Sequence, residues 1–241
     1  PLAVPRAIVR DGAPRPGAAV AAPVPVQFMD NGRQGDAVAG DQVLSFRLQP
    51  SQVGMVQLDS VIRVELALQS EGHPGFAYFD VVHSPVAPAT WGPGPVRDVV
   101  ESGSLTLVLP VQVQQPGRYV ASGRIDDAQG RPLALASFNE ELPAGAGEIR
   151  LRVFGKLLRD AQATFPLTLR DVDAFLLKPD TFPDRALMPR REGPVHRSAS
   201  HPLAAFSTTE WESPERQRYL DEYTRDVDEA ENQLQDLGTG P

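Results

Sequence analysis

The feature that most constrains this chain is a strict two-residue alternation of apolar and polar side chains, which recurs between turns through most of its length. In Val61 to Leu68, Ile62, Val64, Leu66 and Leu68 share one side while Arg63 and Glu65 share the other. Leu105, Leu107, Leu109, Val111 and Val113 repeat the pattern, as do Ile149, Leu151 and Val153. Successive side chains of a strand point to opposite faces, so this period describes strands covered on one side. Phe76 to Val82, Tyr119 to Ile125 and Leu133 to Phe138 read as further strands, and Leu167, Leu169, Val172 and Phe175-Leu176-Leu177 supply the last ones. Turn signals such as Asp30-Asn31-Gly32, Pro116-Gly117 and Asp126-Asp127-Ala128-Gln129-Gly130 separate them at roughly the spacing of a sandwich or barrel. No helical segments alternate with the strands, which excludes a parallel α/β sheet.

Proline sharpens this reading: 24 of 241 residues are proline, about twice ordinary usage. Proline lacks a backbone donor, so it disfavours helices and central strands and favours short strands joined by turns. Pro110 interrupts the longest alternating run, which places that strand at an edge or at a bulge.

The expected architecture is all-β: two tandem immunoglobulin-like β-sandwich domains with a C-terminal α-helix. Residues 1–25, rich in proline and alanine, read as an extended lead-in, and 26–90 as the first sandwich, with Val43 to Leu48 as one of its strands. The prolines between Ser84 and Pro95 mark the boundary, and 91–180 is the second sandwich. Residues 181–212, where Pro183, Pro189, Pro194 and Pro202 follow Pro179, read as an irregular strap. Residues 213–238 form an acidic helix: Ser213 caps it, Pro214 takes its first position and Gly238 ends it. Leu220, Tyr223, Val227, Ala230, Leu234 and Leu237 repeat at spacings of three and four, making an apolar seam. That seam is expected to dock on the chain's own second domain, or else to serve a protein partner or self-association.

Charge and composition exclude several functions. A net charge of -8 disfavours nucleic acid. The absence of cysteine excludes disulfides, thiol catalysis and thiolate metal sites. No apolar stretch approaches the roughly 20 residues of a membrane span. The chain opens at Pro1, with neither an initiator methionine nor a hydrophobic signal core, and so reads as a processed form or a piece of a longer protein.

No catalytic constellation stands out. The four histidines, His73, His83, His196 and His201, form no His-x-x-x-His pair, and no Gly-x-Ser-x-Gly elbow holds a nucleophile. Asp171 and Asp173 would share a face in a strand. Asp30 and Asp36 in one turn, and Asp126 and Asp127 in another, are oxygen-rich positions for calcium, though neither has the spacing of a loop that wraps the ion alone. Trp91 and Trp211 are placed to plug a domain junction and to staple the start of the helix. No cofactor other than calcium is implied.

One set of motifs is familiar as a group. It comprises Gly103-Ser104-Leu105-Thr106-Leu107, Pro116-Gly117-Arg118-Tyr119-Val120, Gly123-Arg124-Ile125-Asp126-Asp127, Phe138-Asn139, Leu151 to Lys156 and Leu169-Arg170-Asp171-Val172. The set resembles an uncharacterised family, a domain of unknown function, of exported gammaproteobacterial proteins with C-terminal immunoglobulin-like domains. The resemblance covers roughly Ser84 to Tyr223. It implies that the Tyr119 hydroxyl ties down the preceding corner, and that the protein is periplasmic or extracellular. No catalytic residue is carried over. The expected function is an exported, non-enzymatic binding or structural protein. The alternative is the accessory C-terminal region of a secreted enzyme whose catalytic domain lies upstream.

Overall fold

The computed structural model describes residues 2–14, 17, 22–210, 212 and 214–238. The fold is all-β and sandwich-like, built from three antiparallel sheets and a C-terminal helix.

The first sheet has the order β2-β1-β3-β4, with β1 at Leu2–Asp11, β2 at Val24–Val26, β3 at Ser60–Ser70 and β4 at His73–His83. The expectation of an extended lead-in over 1–25 is therefore corrected, because β1 lies inside the sheet and pairs with both β2 and β3. Its proline is accommodated by a bulge: the register steps from Ala3↔Gln69 to Arg6↔Ala67, so Val4 and Pro5 together oppose one residue. From Arg6 onward the two-residue period holds, with Ala7 and Val9 buried. The sheet's inner face, Val9, Ile62 and Val64, packs on Val53, Met55, Phe28, Phe46, Leu48 and Leu58. These come from the long segment 27–59, which forms the second layer without a sheet ladder. Its backbone is tied by the bridge Met29↔Ser45. Val43 to Leu48 is thus not a ladder strand, although Phe46 and Leu48 do face the core.

The second unit is a two-sheet sandwich. One sheet centres on β7 (Ser104–Val113), flanked by β10 (Gly145–Val153) on one side and by β5 (Ala89–Trp91) and β6 (Arg97–Glu101) on the other. The other joins β9 (Pro132–Leu142), β8 (Gly117–Asp126) and β11 (Thr168–Leu177), with β12 (Arg185–Leu187) and β13 (Arg191–Arg197) also paired to β11. Leu105, Leu107, Leu109, Ile149 and Leu151 from the first meet Tyr119, Ile125, Leu169 and Val172 from the second in one continuous core.

Two boundaries shift as a result. The 84–95 segment contains β5, so the second unit begins before residue 91. Residues 181–212 are not an irregular strap, because β12 and β13 extend the sheet, and Phe206 is buried in the core. A short helix α1, Gly155–Asp160, also interrupts the strands.

Proline placement follows the hydrogen-bond ladder. Pro110 is not on an outermost strand, but its carbonyl accepts from Gly92 N at 2.7 Å, so its missing donor points the same way, toward β5 and β6. It falls opposite the Gly92–Val96 detour that separates those two short strands. The ladder is broken where a proline cannot serve it.

Helix α2 spans Pro214–Gly238. The seam does not dock on the second domain: Leu220 is 41% exposed, Tyr223 66%, Val227 55% and Leu234 70%. Ser213 and Trp211 lie outside the described residues. No helix among the described residues is long and apolar enough to cross a membrane.

Candidate functional site

The structure gathers polar side chains at several places, and only some coincide with those singled out from sequence.

In the loop after β2, Asp30, Asp36 and Asp41 converge so that one carboxylate oxygen from each lies within 4.8 Å of the others. Asp36 is buried. Backbone amides already engage these carboxylates: Asp30 accepts from Gly40 (2.5 Å), Asp41 (3.2 Å) and Gln42 (3.0 Å), and Asp36 accepts from Gly32 (2.5 Å). Gly32, Gly35 and Gly40 adopt positive φ to wrap the loop around them. The sequence reading placed Asp30 and Asp36 together, and the structure adds Asp41. Oxygen donors suit a hard cation, while the amide contacts by themselves account for the loop's shape.

Asp126 and Asp127 have other partners. Asp126, 2% exposed, receives Arg124 at 3.0 and 3.2 Å and Arg170 at 3.4 Å. Asp127 accepts from Gln129 N, Arg131 N and the Arg131 guanidinium at 2.7–2.9 Å. Burial works against its ionisation, but the Arg131 and Gln129 contacts outweigh it and hold its carboxyl below the ordinary range. These are buried ion-pair and turn acids whose lone pairs are spent on arginine and amides. Asp171 and Asp173 do not act as a pair. Asp171 adopts φ 53° at a bulge in β11, accepting from Gly193 N at 2.8 Å, while Asp173 faces Arg190. The bulge also turns neighbouring Arg170 toward Asp171, at 3.4 Å.

The constellation missed from sequence is Asp98 with two histidines. Asp98, on β6, accepts from His196 Nε2 at 2.9 Å, His201 Nε2 at 2.8 Å and Ala199 N at 3.0 Å. All three side chains are largely buried. Burial raises its carboxyl pKa, but the hydrogen bonds from His201, His196 and Ala199 prevail, and it stays below the usual range. Asp98 belongs to one sheet and His196, on β13, to the other, so the carboxylate clasps the sandwich along its side. Separations of 98 and 103 residues left no local motif to read. Beside it, Asp126, Asp127, Thr168, Arg170, His196 and Arg197 line a surface groove of about 560 Å³.

The remaining expected residues are structural. Tyr119 is fully buried, and its hydroxyl lies 2.7 Å from Gln115 O and 2.9 Å from Pro88 O. His83 donates from Nδ1 to Leu58 O at 2.6 Å, and His73 is exposed on β4. Trp91 donates to Pro189 O at 2.7 Å, with Arg191 over its ring, so it pins β13's approach within the second unit.

No family model matches this chain, and no curated protein matches it. Among solved structures, it is similar to the crystal structure of a DUF4785 family protein from Legionella pneumophila. That similarity has a TM-score of 0.39 and 12% identity, covering 79% of this chain and 45% of the other. The chain therefore spans less than half the length of that protein.

Proposed function

We propose that the chain is a non-enzymatic module of an exported protein, whose immunoglobulin-like second domain is a rigid mount for a partner-binding helix. The supporting observation is the exposure of Leu220, Tyr223, Val227 and Leu234 on α2. A helix gains most of its stability by packing its apolar face, and these four seam residues are left open to solvent. Export and periplasmic or extracellular placement rest on the family resemblance of the second half, and the Tyr119 corner is consistent with an immunoglobulin-like domain.

The seam has the three-four spacing of core positions in a helix pair, with Asp226 and Glu231 flanking it. A parallel copy of the same helix would bring Asp226 opposite Glu231 of its neighbour, two like charges. A helix with an apolar stripe and basic flanks complements both acids, and we take the partner to be such a helix of another protein. A synthetic helix with Leu and Val in its core positions and Lys in its flanks serves as the probe. Titrated against the full chain, it should bind with an affinity that falls as salt rises, and Val227→Asp should abolish binding. Absence of binding, or equal binding by Val227→Asp, would overturn the proposal.

A further inference from the structure

The first sheet has an open side. Gly12 N donates to Val61 O at 2.9 Å, so Val61 and every second residue of β3 direct their backbone groups toward β1. The intervening residues, Ile62, Val64 and Leu66, face β4, where they oppose Val81, Phe79 and Ala77. It follows that Phe76, Tyr78, Asp80 and Val82 direct their N–H and C=O groups away from the sheet. These eight backbone groups lie along one edge, with β12 of the second unit beside its Val82 end. Pro74 shares their direction, so its missing donor also faces outward.

Sheets usually guard such an edge with charge, proline or a bulge. The opposite edge is guarded: β2 is three residues long, and Pro25 opposite Ile8 turns its missing donor outward. From Phe76 to Val82 β4 has no proline, no bulge and one charge. That charge, Asp80, is neutralised by Arg63 through two contacts of 2.8 Å, and its carboxyl is held below the usual range chiefly by that hydrogen bond. Phe76, Tyr78, Phe79 and Val81 are all exposed. Beneath the edge, on the core side, Phe79 and Val81 form one wall of an apolar groove of about 300 Å³, with Phe28, Phe46 and Leu48 opposite.

We infer that β4 pairs antiparallel with β4 of a second copy, joining two four-stranded sheets into one of eight. A two-fold axis at Phe79 sets Phe76 opposite Val82 and Tyr78 opposite Asp80, so all four outward-facing residues of each strand are paired and Pro74 is left out. The axis is perpendicular to the sheet, so the two core faces stay on one side. Phe79 of each copy then meets the other, and Ala77 of each opposes Val81 of its neighbour beside the groove. No like charges oppose one another in this register. The contact is a strip roughly 24 Å long, which puts it near the lower end of specific interfaces, roughly 1,200 Å² in total. The dimer is therefore weak and concentration-dependent.

The full chain is followed by sedimentation velocity up to about 1 mM, with amide hydrogen exchange at both ends of the range. The expected result is a monomer–dimer equilibrium in which the amides of Phe76, Tyr78, Asp80 and Val82 gain protection as concentration rises. Tyr78→Pro removes one outward donor without touching the β3 ladder, and Phe79→Lys places charge on the axis. Both should remain monomeric, while Val227→Asp should still dimerise. The inference is overturned by a wild-type monomer throughout, by those four amides exchanging equally fast at all concentrations, or by a dimer lost only in Val227→Asp. It stands apart from the helix reading, which that last variant tests.

Discussion

The Tyr119 hydroxyl reaches back across 31 residues to the carbonyl of Pro88, at 2.9 Å. Gln114 N and Gln115 N donate to the same oxygen at 2.9 and 3.0 Å, so one buried phenol fixes the approach to β5 and the turn before β8 together. Tyr119→Phe should lower stability by about 1–2 kcal/mol, the value of a buried hydrogen bond, with little change in the denaturant slope. Burial pushes the phenol up to about 12 from an ordinary 10.0. A raised pKa means stability is fully present below pH 10 and is lost as pH rises toward 12, because the unfolded chain ionises first. Urea midpoints between pH 9 and 12 should show this loss in the wild type and a smaller one in Tyr119→Phe.

Asp98 works at the acid end. Its carboxyl is depressed from 3.8 by the two histidines and Ala199 N, so its contribution is complete above that value and disappears as pH falls through the folded one. Asp98→Asn should therefore destabilise at neutral pH and flatten the acid limb of the stability curve. Melting temperatures from pH 2 to 7 check both, and parallel curves for the two proteins would refute the clasp.

Gly155 is a position of close approach, where a Cβ would lie 1.9 Å from Gly103 O and 2.7 Å from Ser207 N. That backbone cannot step aside, because Ser207 N donates to Gly103 O at 2.9 Å. Gly155→Ala should cost about 1–3 kcal/mol by overpacking, measured by denaturant unfolding. Gly130, with φ 76° and open space around it, offers the contrast. There alanine costs only the backbone strain, about 1 kcal/mol.

Limited proteolysis separates the two C-terminal segments. β13 is laddered to β11 and its end is held by Asp98, whereas the seam of α2 is exposed, so the helix opens at low local cost. Trypsin should cut at Arg218 and Arg225 before Arg190 and Arg191. Early cleavage at Arg190 would show that the strap strands are not held.

Strands whose periodicity was uninterrupted were legible in sequence. The alternation of β3 and β10 gave both their existence and their inward faces, because one covered face is what period two encodes, while β7 was found despite Pro110 but is buried on both faces from Ser104 to Leu109. Where proline broke the pattern the reading failed in two directions. Pro5 made β1 look like a linker, although a two-residue bulge absorbs it. Pro189 and Pro194 hid β12 and β13, although both strands pair with β11 and register shifts flank Pro194. The Asp98 clasp was invisible for another reason: its members sit on different sheets, and only the packing of those sheets brings them together.

The Gly92–Val96 detour opposite Pro110 has a consequence for how this chain can change over generations. Extra residues inserted after Gly92, whose N–H the Pro110 carbonyl holds, would lengthen a loop that no ladder crosses, and Pro110 has no donor for them to satisfy. The core strand β7 would keep its register with β10 whatever the insertion contained. A new surface element, or a whole grafted segment, can therefore be carried at this point without disturbing the two faces of the sandwich.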